Sequence, residues 1–252
     1  MSDSRIDTYR PSLADDLADW NRNAASYSAL AGTSDDTIAQ QFHAVLWESL
    51  GNVHARDILD VGCGHGWLSA ALANAGANVI GIDGAHELLD RARASYPHIP
   101  FIESDLLQGL PPLDRVFDRI IANMVVMDLP DIGPLFTAIG QLLKADGRFI
   151  FTLPHPCFFN HKSAQDAQTG QRYRRVTGYL QPEVWRIANF GGHNHYHRSL
   201  TYYVDQLRTN QLAVTRLYEP PHIPVGEIAE EDRPFYTNIP VFLLIEAMSI
   251  CQ

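Results

Sequence analysis

The chain has 252 residues, 46% of them hydrophobic, with a formal net charge of −10 and a pI near 5.5. That apolar share suffices for one large core, while the acidic balance excludes a nucleic-acid or anionic-membrane surface as the main partner. Three scattered cysteines (Cys63, Cys157, Cys251) make neither a disulfide framework nor a zinc site, and no apolar run approaches membrane-spanning length, so the chain reads as soluble and cytoplasmic, with no nucleic acid and no membrane as partner.

Residues 1–50 read as helical. Pro11 is placed to open a helix in which Leu13, Leu17, Trp20 and Ala24 recur at helical spacing, to about Tyr27. Gly32 interrupts it. Ser34 is then predicted to cap a second helix, with Asp35 and Asp36 in its first turn, Ile38, Phe42, Leu46 and Leu50 facing inward, and Gly51 ending it.

Asp57–Val61 follows as a short buried strand that runs into glycines at 62, 64 and 66. A helix comes next, with Leu68, Ala71, Leu72 and Ala75 on one face and Gly76 where a C′ residue belongs. Strand, glycine turn and helix form the first unit of a doubly wound α/β domain, in which ligands sit at the carboxyl ends of the strands. A dinucleotide fold wants G-x-G-x-x-G. Here the spacing is G-x-G-x-G, and Trp67 stands where the third glycine would allow close helix–strand packing. Asp60, two places before the first glycine, suits a cationic amino group better than a phosphate.

The segment Leu59-Asp60-Val61-Gly62-Cys63-Gly64-His65-Gly66 closely resembles the first motif of the class I S-adenosylmethionine (SAM) methyltransferases, in their small-molecule, type 11-like branch. The resemblance implies S-adenosyl-L-methionine as cofactor and S-adenosyl-L-homocysteine (SAH) as product, held at Asp60, Gly62, Cys63, Gly64 and Gly66. It also implies a Rossmann-like seven-stranded sheet of order 3-2-1-4-5-7-6, the last strand antiparallel, with helices on both faces.

The rest of the chain supplies further parts. Asn78–Asp83 is a second apolar strand ending in an acid that can meet ribose hydroxyls, with Gly84 after it; Asp83 can equally cap the helix read over 85–96. That helix stops before Pro97. Pro100–Glu103 reads as a third strand, followed by Ser104, Asp105 and Leu106, where the resembled family places an acceptor for the adenine amino group. Val116–Asn123 is a fourth strand. Its end, Asn123 to Asp128, lacks the (Asp/Asn)-Pro-Pro-(Tyr/Phe) signature of enzymes that methylate amino groups of DNA, RNA or protein glutamine. A helix over 131–144 and a strand over 148–153 complete the core.

From Pro154 to Arg198 the α/β pattern breaks down, with five of the eleven histidines and six basic residues against two acids. A stretch this long is usually a lid or binding element. A helix over 199–210 and strands over 211–218 and 241–247 close the sheet. The chain thus reads as one methyltransferase domain over 1–252: a helical lid (1–50), a cofactor core (51–153), a substrate-side cap (154–198) and the C-terminal part of the sheet (199–252).

Methyl transfer from a sulfonium needs alignment first, and a general base only if the nucleophile arrives protonated. His155, after the fifth strand, is the first candidate base, with local backbone bonding as its alternative. His193, His195 and His197 alternate, so on an extended segment they point one way, as metal ligands might. No acid or cysteine beside them completes a shell, so pocket lining by His195 and His197 is the preferred reading and no metal is expected. Arg198 is expected to pair Glu219 or a substrate anion. Tyr27 either covers the cofactor, as the resembled lid does, or packs a helix. Arg172, Arg174 and Arg175 read as a solvated charge run, and Pro156-Cys157, which resembles the nucleophile dipeptide of cytosine-C5 methyltransferases but follows the wrong strand, reads as packing.

The expected activity is methyl transfer to a small, partly apolar acceptor, with bacterial secondary or cofactor metabolism as the setting by analogy. Rival readings are a SAM-binding protein that transfers no methyl group (a cyclase or regulator) and an NAD-dependent oxidoreductase, which the glycine spacing disfavours. A homodimer is compatible with the sequence.

Overall fold

The computed structural model describes residues 13–221 and 228–250. Pro11, expected to open the first helix, and Cys251 lie outside the described residues.

Two helices lead the described chain, α1 (Leu13–Leu30) and α2 (Thr37–Leu50). The second starts later than a Ser34 cap would set it. The Asp36 carboxylate accepts the Gly32 N–H at 2.9 Å, and the Asp36 N–H donates to the Thr33 carbonyl at 3.1 Å. These bonds hold 32–36 in a turn, so Asp35 and Asp36 precede the helix and its first turn carries no acid.

The apolar runs then alternate with helices as β1 (Asp57–Val61), α3 (Trp67–Asn74), β2 (Asn78–Asp83), α4 (His86–Ser95), β3 (Phe101–Glu103), β4 (Phe117–Asn123), α5 (Gly133–Leu142) and β5 (Leu143–Pro154). α3 ends in a Schellman arrangement: the Gly76 N–H donates to Ala73 O at 2.9 Å and the Ala77 N–H to Leu72 O at 3.1 Å, with Gly76 at φ +90°. β3, β2, β1, β4 and β5 pair in parallel, in that order.

The segment after β5 is more ordered than its composition suggests. It forms two antiparallel hairpins, β6 (Ser163–Gln165) with β7 (Arg172–Arg174), and β8 (Glu183–Ile187) with β9 (His193–His197). Their strands are short and carry Arg, Trp and His in place of aliphatic alternation, so the period-two signal is lost. The chain finishes with α6 (Leu200–Thr209), β10 (Leu212–Tyr218), α7 (Arg233–Asn238) and β11 (Phe242–Ser249). β11 lies antiparallel between β5 and β10, giving a seven-stranded sheet of order β3-β2-β1-β4-β5-β11-β10. This is the order expected, with the last strand in sequence antiparallel.

Alternate strand residues feed two cores. Leu59, Ile120, Phe149 and Phe151 pack with Phe136 of α5 and Tyr203 of α6, whereas Ile58, Ile121 and Ile150 pack with Leu50 of α2, Leu72 of α3 and Leu89 of α4. The sheet is therefore covered on both faces, and its carboxyl edge is where a ligand has room. Among the described residues no helix is long and apolar enough to cross a membrane.

Candidate functional site

The carboxyl ends of β1 to β5 open into a cleft of about 1400 Å³, counted out to its solvent mouth. Its floor is the glycine turn. Gly62, at φ +67°, donates its N–H to Ile82 O at 2.7 Å, and an added Cβ there would lie 2.3 Å from Val125 Cγ2. The turn is thus folded hard against the loop after β4, and only a residue without a side chain fits.

Asp83 ties this floor together. Its Oδ2 accepts the Gly64 N–H and its Oδ1 the Ala85 N–H, both at 2.8 Å. Burial pushes its carboxyl pKa up, while those two N–H groups and that of Gly84 pull the other way. A carboxylate has about four lone-pair sites, so acceptor capacity remains for a hydroxyl donor. The capping and ligand readings of Asp83 are therefore compatible. Asp105 accepts the Leu107 N–H through Oδ1 at 3.0 Å and lines the cleft with Leu106, Gly84 and Asn123. Asn123 is fixed by the Thr152 hydroxyl, which donates to its Oδ1 at 2.7 Å.

Four residues expected at the cofactor stand behind the wall instead. Asp60 is 1% exposed beneath the turn, its Oδ2 accepting the Ser69 hydroxyl at 2.6 Å, and burial pushes its pKa up to about 7. The Cys63 N–H donates to Ile82 O and its thiol is buried against Gly81. Gly66, at φ +83°, precedes α3 and packs on Phe101, while the Ser104 N–H donates to Asp83 O at 2.9 Å. In this structure these four set the shape of the loop and do not line the cleft.

The roof comes from α1 and the second hairpin of the insert. Tyr27 sits over Gly64, where a Cβ would be 3.1 Å from its Cε1, and packs edge-on to Trp20 and Phe190. Buried polar contacts clamp the two parts together: Asn194 Nδ2 and the Tyr196 hydroxyl each donate to Asp16 at 2.7 Å, Asn23 Nδ2 donates to Gly192 O at 2.8 Å, and Arg186 pairs with Asp19. Strand β9 is buried on both faces, which is why its alternation matters. Asn194 and Tyr196 face α1. On the alternate face of the strand, His193 packs at a tilt against Trp20 of α1, His195 stacks with Phe159 and Trp185, and His197 also stacks with Trp185.

Three substrate-side expectations change here. His155 is 2% exposed and does not line the cleft. Its Nδ1 accepts the Cys157 N–H at 3.1 Å, which leaves Nε2 protonated and donating to Glu219 at 2.7 Å. With both nitrogens engaged it is a brace for the turn after β5, not a base. His197 donates through Nε2 to Tyr179 O at 2.9 Å and lies outside the cleft wall. Arg198 does not pair Glu219; it donates to the carbonyls of Val126 and Leu129 and stacks on Tyr202, fixing the loop after β4. His195 does line the cleft, and burial pushes its pKa down to about 3, so it is neutral. Among the described residues no cluster of three or more metal-ligating side chains occurs. Arg172, read as a solvated charge, pairs with Asp232 at 3.0 Å and lies over the Phe235 ring, docking the first hairpin on α7.

His155→Ala is accordingly expected to cost about 2–3 kcal/mol of stability, from a lost buried ring and an orphaned Cys157 N–H. Turnover per folded molecule should stay within about two-fold. Denaturant unfolding beside initial rates checks both, and a hundred-fold loss of rate at unchanged stability would restore His155 as a base.

Residues that sequence reasoning passed over now stand out. Asp128 closes an apolar run and faces His193, whose Nε2 is 4.0 Å from its Oδ1. Phe190 and Phe159, together with Trp20 of the expected lid helix, supply the aromatic walls.

Comparison with known proteins fits this geometry. Residues 59–151 match a family described as "Methyltransferase domain". An S-adenosylmethionine-dependent methyltransferase from Mesorhizobium loti superposes with a TM-score of 0.70 at 27% identity, covering 82% of this chain and 97% of that one. Residues 59–151 are thus similar to a methyltransferase domain, and the chain has the fold of a SAM-dependent methyltransferase. Trans-aconitate 2-methyltransferase from Enterobacter sp. (strain 638) is 34% identical over 100 residues, 39% of each protein. Malonyl-[acyl-carrier protein] O-methyltransferase from Pseudescherichia vulneris is 27% identical over 135 residues, 54% of this chain and 51% of the relative. The chain thus spans about two fifths to one half of the length of these curated relatives.

Proposed function

We propose that this protein transfers the methyl group of SAM to a small-molecule acceptor enclosed between α1 and the insert. The observation that carries the reading is one continuous cleft, in which the glycine turn, Asp83 and Asp105 share walls with Trp20, Phe159, Phe190 and His195. A nucleoside-sized ligand on the floor and an acceptor under the roof would meet in it. The residues fit the cofactor on two counts: the glycine floor has no Cβ in the way, and Asp83 and Asp105 retain acceptor capacity toward the cleft.

The cofactor supplies an already activated methyl group, so this chain's residues mainly bind and exclude. Asp83 takes a ribose hydroxyl and Asp105 the adenine amino group. Tyr27 closes over Gly64 and keeps water out, while Asp60, Cys63, Gly66 and Ser104 hold the turn in shape from behind. The named relatives act on small acids and carrier-bound intermediates, which supports a setting in secondary or cofactor metabolism. The alternative of a SAM-binding protein without transfer shares the floor, and only labelled-methyl assays on acceptor libraries separate the two.

SAH should bind with micromolar affinity, about −8 kcal/mol by calorimetry, and NADH should give no signal. Asp83→Ala should weaken SAH by roughly 2–3 kcal/mol, since the hydroxyl contact and the tie to Gly64 are lost together. Tight NADH binding with no SAH response would overturn the assignment.

A further inference from the structure

We propose that the acceptor is an amine, seated between the carboxylate of Asp128 and the ring of His193, so that the methyl group is delivered to nitrogen. This rests on the methyl-transfer reading of the cleft. Asp128 is 9% exposed and lines the cavity, yet its Oδ1 is buried with no hydrogen-bond partner among the described residues. Nearly all buried polar atoms are paired, and a buried carboxylate oxygen left alone is a vacancy for a donor. His193, 7% exposed, also lines the cavity, and its Nε2 stands 4.0 Å from that oxygen. This is too far for a direct hydrogen bond, but a single nitrogen about 2.8 Å from each atom bridges them.

Charge decides the class of that group. Among the described residues, the cleft wall holds Asp16, Asp36, Asp83, Asp105 and Asp128 and no lysine or arginine. Asp16 is satisfied by Asn194 and Tyr196, and Asp83 by backbone N–H groups, whereas Asp128 lacks a donor at Oδ1. A carboxylate acceptor would meet only like charge here. A hydroxyl would leave the negative charge at this position without a counter-ion, whether its proton stays or passes to Asp128. An ammonium removes the electrostatic cost, offers donors to both Asp128 and the neutral His193, and finds aromatic faces in Trp20 and Phe190, which flank His193.

Before transfer the ammonium gives one proton to Asp128 Oδ1, which burial favours in its protonated form. The freed nitrogen lone pair then attacks the methyl carbon. The N–C bond forms as the C–S bond breaks, the sulfur keeps the electron pair, and the proton leaves Asp128 for solvent once product departs.

The test is calorimetry on the SAH-loaded protein near neutral pH, with 2-phenylethylamine, 2-phenylethanol and phenylacetate as matched probes. The amine should bind at least about ten-fold tighter than the other two. Asp128→Asn should erase that preference while SAH affinity stays within about two-fold, which also reports that the variant is folded. Equal or weaker amine binding, no amine binding at about 10 mM, or an Asp128→Asn protein that keeps the preference would overturn the inference. If SAH binds and the amine preference is absent, this inference alone fails. If SAH itself does not bind, the methyl-transfer reading fails and takes this one with it.

Discussion

Gly62→Ala is expected to lower the unfolding free energy by roughly 2–5 kcal/mol and to abolish measurable SAH binding. Two separate costs add at this position. The backbone sits at φ +67°, where an L-residue with a Cβ costs about 1–2 kcal/mol. The new methyl would also fall 2.3 Å from Val125 Cγ2 and 2.7 Å from Cγ1, deep inside contact distance. Relieving that overlap must move the loop after β4, at about 1–3 kcal/mol. The same loop holds Asn123 and Met124 on the cleft wall, so the cofactor floor and the acceptor side shift together. The two costs are separable. Adding Val125→Ala should recover the steric share in denaturant unfolding, while the conformational share remains. A Gly62→Ala protein that melts with the wild type and binds SAH unchanged would mean that the turn does not have this geometry.

That position also shows what a sequence can reveal. Glycine spacing at 62, 64 and 66 marks a backbone constraint, and backbone constraints are local, so the turn, the flanking apolar strands and the cap at Gly76 were all legible. The sheet order followed, because parallel strands buried on both faces read as continuous apolar runs. The acceptor side was not legible, for a physical reason. It is built by side chains that meet across long separations, as when Asp16 receives Asn194 and Tyr196. His155 illustrates the error this causes. Its place after β5 was read correctly, and the local backbone bond, made with the Cys157 N–H, was the stated alternative; what spacing does not reveal is the distant Glu219 that engages its other nitrogen. Asp128 was hidden for the opposite reason. It ends an apolar run in which a missing Pro-Pro signature drew attention, and nothing local shows that its carboxylate turns inward. The histidine alternation at 193, 195 and 197 was a usable signal, since it required one face of a strand; what it could not show was that His197 is spent on Tyr179 and Trp185.

Asp60→Asn is expected to become more stable relative to the wild type as pH rises, by as much as about 4 kcal/mol between pH 4 and pH 8. The cause is burial: Asp60 is 1% exposed, no cation among the described residues is bonded to it, and its pKa is pushed up to about 7, with the charge of Asp83 adding to the shift and the Ser69 hydroxyl opposing it. In the unfolded chain the same group titrates near 3.9. Below pH 4 both states hold the proton and nothing is lost. Between about 4 and 7 only the folded state holds it, so the wild type loses about 1.4 kcal/mol per pH unit from this group. Above pH 7 the penalty is complete and constant. An amide at position 60 keeps an oxygen for Ser69 and does not titrate, so the slope should vanish. Other carboxyls contribute slopes of their own, and for that reason the difference between the two proteins, followed by urea unfolding at several pH values, is the quantity to measure. Parallel curves would show Asp60 ionised throughout, which would require a cation at the glycine turn in place of the Ser69 hydroxyl as its main partner.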